Sequence, residues 1–252
     1  MVEYKNITNK NTIIKTKVFL PETNKKYDRM FILCHGFASS KESDSISIIS
    51  KKLNEKNIPA IAFDFPGHGE SVDNIEKLTV ENCISYINII ENYIKEILKI
   101  NKISIFATSF GGYVTINKLI KENINDFENI ILRSPAIDMK NILLSSLIKD
   151  DICTFQTNKK AKAGFGGKIE IPYSFYENLC ENDILKSYNM SDKIIIFHGT
   201  KDDTSPILDT YKFIRQNPKN KMLIELEGLQ HKISNKEIEV IANKMLSELG
   251  LT

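Results

Sequence analysis

Apolar residues arrive along this chain in two rhythms. Short runs at 30–34, 58–65, 103–107, 129–133, 193–198 and 221–227 have the length and β-branched content of buried strands. Between them, apolar residues recur three and four apart at 46–56, 79–98, 113–122, 206–215 and 235–249, the spacing of helices with one buried face. In 79–98 that stripe reads Ile84, Ile87, Ile90, Ile94 and Ile97. Residues 12–20 alternate apolar with polar and stop at Pro21, which predicts an edge strand that could pair with 2–7. Strand alternating with helix argues for an α/β fold whose central sheet is mostly parallel and covered by helices on both faces.

One stretch breaks the rhythm. The distance from the strand ending near Arg133 to the one starting at Lys193 far exceeds what a crossover needs. It predicts a small cap at 140–190, inserted over the carboxyl ends of the strands, in a core made of 1–139 and 191–252. The insertion carries Phe155, Phe165, Tyr173, Phe175, Tyr176 and Tyr188, and a glycine-rich run at 163–167. Those aromatics either wall an acyl pocket or form the cap's own small core, and for most of them the second reading is at least as good.

A length of 252 residues suits one such domain and is short for two. With 42% hydrophobic and 26% charged residues and a net charge of +2, the chain has the balance of a globular protein and no footprint for nucleic acid. The amino end is polar and basic, without the apolar core of a signal peptide, and no run reaches membrane-spanning length. A cytoplasmic protein is expected. Cys34, Cys83, Cys153 and Cys180 are scattered without metal-ligand spacing, so packed, reduced thiols are expected and no metal.

The candidate chemistry lies in three separated patches. Ser109 sits in Ala107-Thr108-Ser109-Phe110-Gly111-Gly112, between a predicted strand and a predicted helix. Small residues around it permit the tight turn that exposes a nucleophilic hydroxyl. The hydroxyl needs a base that works near neutral pH, and histidine is the choice. Of the four histidines, His35 and His68 lie in glycine turns and His198 ends a strand, whereas His231 follows the last strand, where its loop can lean over Ser109. A carboxylate must fix the histidine's tautomer. Asp202 in the loop after the penultimate strand is preferred, with Asp203 beside it and Asp138 as alternatives. Backbone amides of Phe37, in the turn His35-Gly36-Phe37, and of Phe110 are placed to meet charge on a carbonyl oxygen.

These patches, with Asp64-Phe65-Pro66-Gly67-His68-Gly69-Glu70-Ser71 and the Pro206 that follows the Asp202 loop, resemble the α/β-hydrolase superfamily. Within it the chain is similar to the capped esterase, monoacylglycerol lipase and serine aminopeptidase-like group, which includes cinnamoyl and feruloyl esterases. The resemblance implies an α/β-hydrolase fold, triad roles for Ser109, Asp202 and His231, and oxyanion amides at Phe37 and Phe110. It departs at Ala107, where a glycine is usual, at Thr108, where many relatives have histidine, and at Ser205, where valine is common. The expected function is hydrolysis of a small-molecule ester with small or medium acyl groups, aromatic ones included, through an acyl-enzyme, with no cofactor. The alternatives are a serine aminopeptidase or amidase, a thioesterase, and a catalytically silent binding protein. Beyond the substrate, the partners expected are no nucleic acid and at most a second copy of the chain.

Overall fold

The computed structural model describes residues 1–22, 26–216 and 218–251. The chain opens with an antiparallel hairpin of β1 (Val2–Asn9) and β2 (Thr12–Phe19). It continues through β3 (Arg29–Cys34), α1 (Asp44–Glu55), β4 (Ala60–Phe63), α2 (Val80–Asn92), β5 (Lys102–Thr108), α3 (Phe110–Glu122) and β6 (Phe127–Arg133). An excursion follows, holding α4 (Met139–Ile142), α5 (Ile152–Asn158), a small hairpin of β7 (Lys160–Ala163) and β8 (Ile169–Pro172), α6 (Tyr173–Glu181) and α7 (Ile184–Ser187). The chain then returns with β9 (Ile194–Gly199), α8 (Ile207–Gln216), β10 (Lys221–Leu226) and α9 (Asn235–Glu248).

Eight strands form one sheet in the order β1-β2-β4-β3-β5-β6-β9-β10. The steps from β4 to β10 are parallel, and β2 joins β4 antiparallel. The continuous apolar runs become inner strands because successive side chains enter two different cores. Met30, Ile32 and Cys34 face one, with Ile105 and Ile130; Phe31 and Leu33 face the other, with Phe106, Ile131 and Phe197. Helices α1 and α9 cover the second face with Ile46, Ile49 and Leu53 against Ile238, Ile241 and Met245. Both begin on a serine cap: Ser43 accepts from the Ile46 amide, and Ser234 and Glu237 form a reciprocal capping box. The two N-termini therefore open at the same end of the sheet as the loops that follow the parallel strands.

Three expectations need revision. Strand β2 is not at the edge but lies between β1 and β4, and β1 holds the edge with Val2 and Tyr4 exposed. Alternation along β2 reports one wetter face rather than a free edge. The helix expected over 79–98 stops at Asn92 and continues as a wider turn over Tyr93–Ile97, which shifts the register and leaves Ile97 67% exposed. Of the four free cysteines, Cys34 and Cys83 are packed, but Cys153 and Cys180 are exposed. Among the described residues no helix is long and apolar enough to cross a membrane.

Candidate active site

Ser109 occupies a sharp turn between β5 and α3, with φ 52° and ψ −112°. An L residue held there stores about 1–3 kcal/mol of backbone strain, so the surroundings must enforce it. The Ser109 amide donates to the Arg133 carbonyl at 2.9 Å, and its carbonyl accepts from the amides of Tyr113 and Ala136 at 3.1 Å. The two glycines that follow are required by close approach. A Cβ on Gly111 would lie 2.7 Å from the His35 carbonyl oxygen, and one on Gly112 would lie 2.9 Å from Pro135.

The structure brings His231 and Asp202 to this serine. His231 Nε2 is 3.1 Å from Ser109 Oγ, and its Nδ1 lies 3.0 and 2.9 Å from the two Asp202 carboxylate oxygens. With the Nδ1 proton directed at the carboxylate, Nε2 is left as the acceptor facing the hydroxyl. Gly199, at the end of β9, makes this convergence possible, since a Cβ there would lie 2.3 Å from the Leu229 carbonyl oxygen on the His231 loop. Asp202 is fixed by the amides of Ser205 at 2.7 Å and Thr204 at 3.1 Å. Burial pushes its carboxyl pKa up, but the His231 hydrogen bond and charge and the Ser205 amide outweigh burial and hold it below the usual range.

The alternatives fall away from this line. Asp203 is exposed and accepts from its neighbour, the Thr204 hydroxyl, at 3.3 Å. Asp138 accepts from Asn141 at 2.6 Å. His198 borders Asp202, with Nε2 3.5 Å from its Oδ2, but its ring nitrogens are taken by the Ser205 carbonyl at 2.8 Å and the Thr210 hydroxyl at 2.9 Å. The departure at Ser205 has a structural use, because its hydroxyl donates to the Pro135 carbonyl at 2.8 Å and ties the Asp202 loop to the end of β6.

Phe110 and Phe37 flank the serine. The Phe110 amide opens α3, where first-turn amides have no intrahelical acceptor. The loop carrying Phe37 abuts Ser109, for a Cβ on Gly36 would be 3.4 Å from the Ser109 Cβ. That loop is latched by a buried ion pair absent from the sequence reading. Lys41 donates through its backbone amide to Asp64 Oδ1 at 2.7 Å and through Nζ to Asp64 Oδ2 at 2.8 Å and Glu70 at 2.7 Å. The Lys41 and Asp64 side chains are both buried, and the Glu70 amide completes Asp64 at 2.9 Å. Lys41→Met leaves that carboxylate without its counter-charge and is expected to lower stability by about 3–5 kcal/mol. Urea unfolding of wild type and variant measures it, and a loss below about 1 kcal/mol would show that the latch is not holding the loop.

His35 and His68 lie in their glycine turns, as expected, and their rings are tied to the backbone there. His35 Nδ1 donates to the Gly36 carbonyl at 2.7 Å and its Nε2 accepts from the Phe65 amide at 3.1 Å. His68 Nδ1 lies 3.0 Å from the Pro66 carbonyl. Burial first, and then the neighbouring His35, push the His68 pKa down to about 3. In the unfolded chain the same ring takes a proton near 6.5. Unfolding therefore binds protons between those values, so the stability this ring contributes is complete above pH 6.5 and is lost as the pH falls toward 3. Urea midpoints are expected to fall from pH 7 to pH 5, and less steeply in His68→Gln. Equal slopes would show that His68 does not contribute.

The aromatics of the excursion divide. Phe155, Tyr173 and Tyr176 pack on one another with ring centroids 5.1–6.4 Å apart. Tyr188 packs on Phe213 of α8. Phe175 is fully buried and stacks on Phe37, 6.0 Å away and within 3° of parallel, docking α6 on the loop beside the serine. Phe165 alone stands by the site, with its ring 6.3 Å from that of His231 and the Lys232 ammonium 3.8 Å above it. A cavity of about 660 Å³ opens on Ser109 and His231, between the start of α1, the tip of the β7–β8 hairpin and the start of α9. Among the described residues no group of three or more His, Cys, Asp or Glu side chains is arranged to hold a metal.

Besides the pairing of Lys41 with Asp64, the place of Arg133 beside the site was not foreseen from the sequence. Its guanidinium lies under the His231 loop and donates through Nη1 to the His231 carbonyl at 3.0 Å. The one available sign was a charge closing an otherwise apolar strand run.

Comparison with known proteins places this geometry among hydrolases. The family model described as serine aminopeptidase, S33, matches residues 25–165. A Mycoplasma genitalium protein provisionally named esterase/lipase 2 is 34% identical over 147 residues, which is 54% of this chain and 50% of that protein. A Mycoplasma pneumoniae protein of the same name is 26% identical over 49% of this chain and 44% of its own length. The matched stretches thus span half or less of those relatives. Among solved structures, Est1E from Butyrivibrio proteoclasticus with bound ferulic acid superposes with a TM-score of 0.82 at 18% identity, covering 97% of this chain and 98% of that one. A monoacylglycerol lipase from Paleococcus ferrophilus gives 0.71 at 18% identity, covering 93% and 98%. At such identities the likeness speaks for the fold.

Proposed function

The chain belongs to the serine aminopeptidase S33 family of α/β hydrolases, and on that footing we propose that it is a serine esterase acting on small or medium acyl groups. The observation that carries this reading is the continuous hydrogen-bonded line from Ser109 Oγ through His231 to Asp202. Ser109 attacks the ester carbonyl as His231 Nε2 takes its proton, and Asp202 stabilises the imidazolium. The amides of Phe110 and Phe37 receive the oxyanion. His231 then protonates the leaving alcohol, and water hydrolyses the acyl-enzyme by the same steps in reverse. These steps use side chains, backbone and water alone. Residues 140–190 act as a cap, with Phe165 over the reacting atoms and Phe175 seating the cap on the Phe37 loop.

An aminopeptidase would need a buried carboxylate to hold a free amino terminus. Asp150, Asp151, Glu170, Glu177 and Glu181 are exposed, and Asp183 is engaged by Lys140 at 2.7 Å, which favours an ester over a peptide. A silent binding protein gives no reason to maintain the strained Ser109 backbone. The test is a fluorophosphonate probe with a chain-length series of p-nitrophenyl esters, their thioesters and aminoacyl p-nitroanilides. One adduct per chain, mapped to Ser109, and faster turnover of oxygen esters than of anilides are expected. No adduct on folded protein would overturn the enzyme reading, and faster anilide cleavage would move it to a peptidase.

A further inference from the structure

The cavity that opens on Ser109 reaches a buried cation. Arg133 is 7% exposed and lines it, together with Thr108, Lys168, Lys232 and the first turns of α1 and α9. Of its five N–H donors, the guanidinium spends Nη1 on the His231 carbonyl, while Nε has no partner. Burial pushes its pKa down to about 10, opposed by the charge of Asp202. Leaving donors of a buried charged group unused is costly unless something else accepts from them. Thr108, 9% exposed in the same wall, has an Oγ1 that is likewise without a partner.

The rest of the wall has the same sign. Lys168 and Lys232 make no ion pair among the described residues, and Asp44 is the one acid lining the cavity. Helices α1 and α9 present their N-termini, the positive ends of their dipoles, to this space. Ile46, Ile238 and Phe165 supply apolar surface to the same cavity.

We infer that the ester cleaved at Ser109 carries a carboxylate, which the cavity receives on the Arg133 guanidinium, with Lys168 and Lys232 drawing it in from the rim. The inference rests on the esterase reading above. A carboxylate matches the planar donor fork of arginine. A single negative charge suits one buried cation with Asp44 nearby better than a phosphate dianion does. The Ser109 amide donates to the Arg133 carbonyl, which sets the two residues side by side, and the substrate we infer therefore has a short apolar chain between its carboxylate and its scissile carbonyl.

The experiment compares kcat/KM for matched esters with and without a terminal carboxylate. On the acyl side, mono-p-nitrophenyl succinate, glutarate and adipate are set against the p-nitrophenyl esters of butanoate, pentanoate and hexanoate. On the alcohol side, 4-acetoxybenzoate is set against its methyl ester. At low salt one carboxylated member is expected to exceed its neutral counterpart by about tenfold or more, with a preference that shrinks as salt rises. Arg133→Met is expected to reduce that ratio about tenfold, and Arg133→Lys to restore part of it. Neutral esters preferred in both arms would overturn the inference. So would an Arg133→Met enzyme that loses rate equally on both members of each pair, since the guanidinium would then only support the His231 loop. Should no ester be turned over, the esterase reading fails separately, and calorimetry with monomethyl glutarate decides the subsite. Binding that is lost in Arg133→Met upholds it, and no binding to wild type ends it.

Discussion

Replacing His231 with alanine is expected to lower kcat/KM for a p-nitrophenyl ester by about 10⁴- to 10⁶-fold, with the far-ultraviolet circular dichroism unchanged. The size follows from the absence of a substitute. Nε2 of His231 is 3.1 Å from Ser109 Oγ, while the rings of His35, His68 and His198 are each held by backbone or side-chain partners elsewhere. Without His231 the hydroxyl must ionise unaided in a site it reaches only as a neutral group. Ser109→Ala is expected to cost about as much, and the double variant little more than either, because the two groups act in one proton transfer. Steady-state kinetics on the three variants reads this directly. A loss under tenfold in folded His231→Ala would sink the role given to that ring.

What the sequence disclosed and what it withheld differ in kind. The inner strands and the helices around Ser109 were legible because each obeys a local rule, a short apolar run or a stripe three and four apart, that the packing then satisfies. Ser109, His231 and Asp202 were legible because their loops follow strands, and in a parallel sheet the ends of the strands meet at one edge. The sequence favoured Asp202 over Asp203 and Asp138 by its place after the strand, but not the device that aims it, the amides of Thr204 and Ser205 that hold that carboxylate. The Lys41 and Asp64 pair joins residues 23 apart in sequence across two loops, and no periodicity encodes it. Arg133 was hidden for the same reason: its partner, the His231 carbonyl, is 98 residues away. The division of the aromatics in the excursion was equally beyond reach, for Phe165 and Phe175 sit in one aromatic-rich stretch, yet the first stands beside the His231 ring and the second, on α6, is buried against Phe37.

Asp202→Asn is expected to reduce kcat by about 10⁴-fold with a far smaller change in KM, whereas Asp203→Asn and Asp138→Asn stay within about threefold of wild type. An asparagine keeps the size and can still accept the amides of Thr204 and Ser205, so the loop is expected to hold. Its oxygen and nitrogen differ, however, and the amide can present N–H to His231 Nδ1. That selects the tautomer with the proton on Nε2, which points a donor at Ser109 Oγ where an acceptor is needed. Even with the correct tautomer, the imidazolium formed during attack loses the carboxylate that lies 2.9 Å away on one oxygen and 3.0 Å on the other. Because His231 holds the Asp202 carboxyl below its ordinary pKa, the carboxylate remains charged well into acid, and the wild-type rate should not fall with protonation of Asp202 at mildly acidic pH. The three asparagine variants, measured side by side on one ester, test whether Asp202 alone acts through the histidine. Equal losses in Asp202→Asn and Asp203→Asn would transfer the role to the loop as a whole.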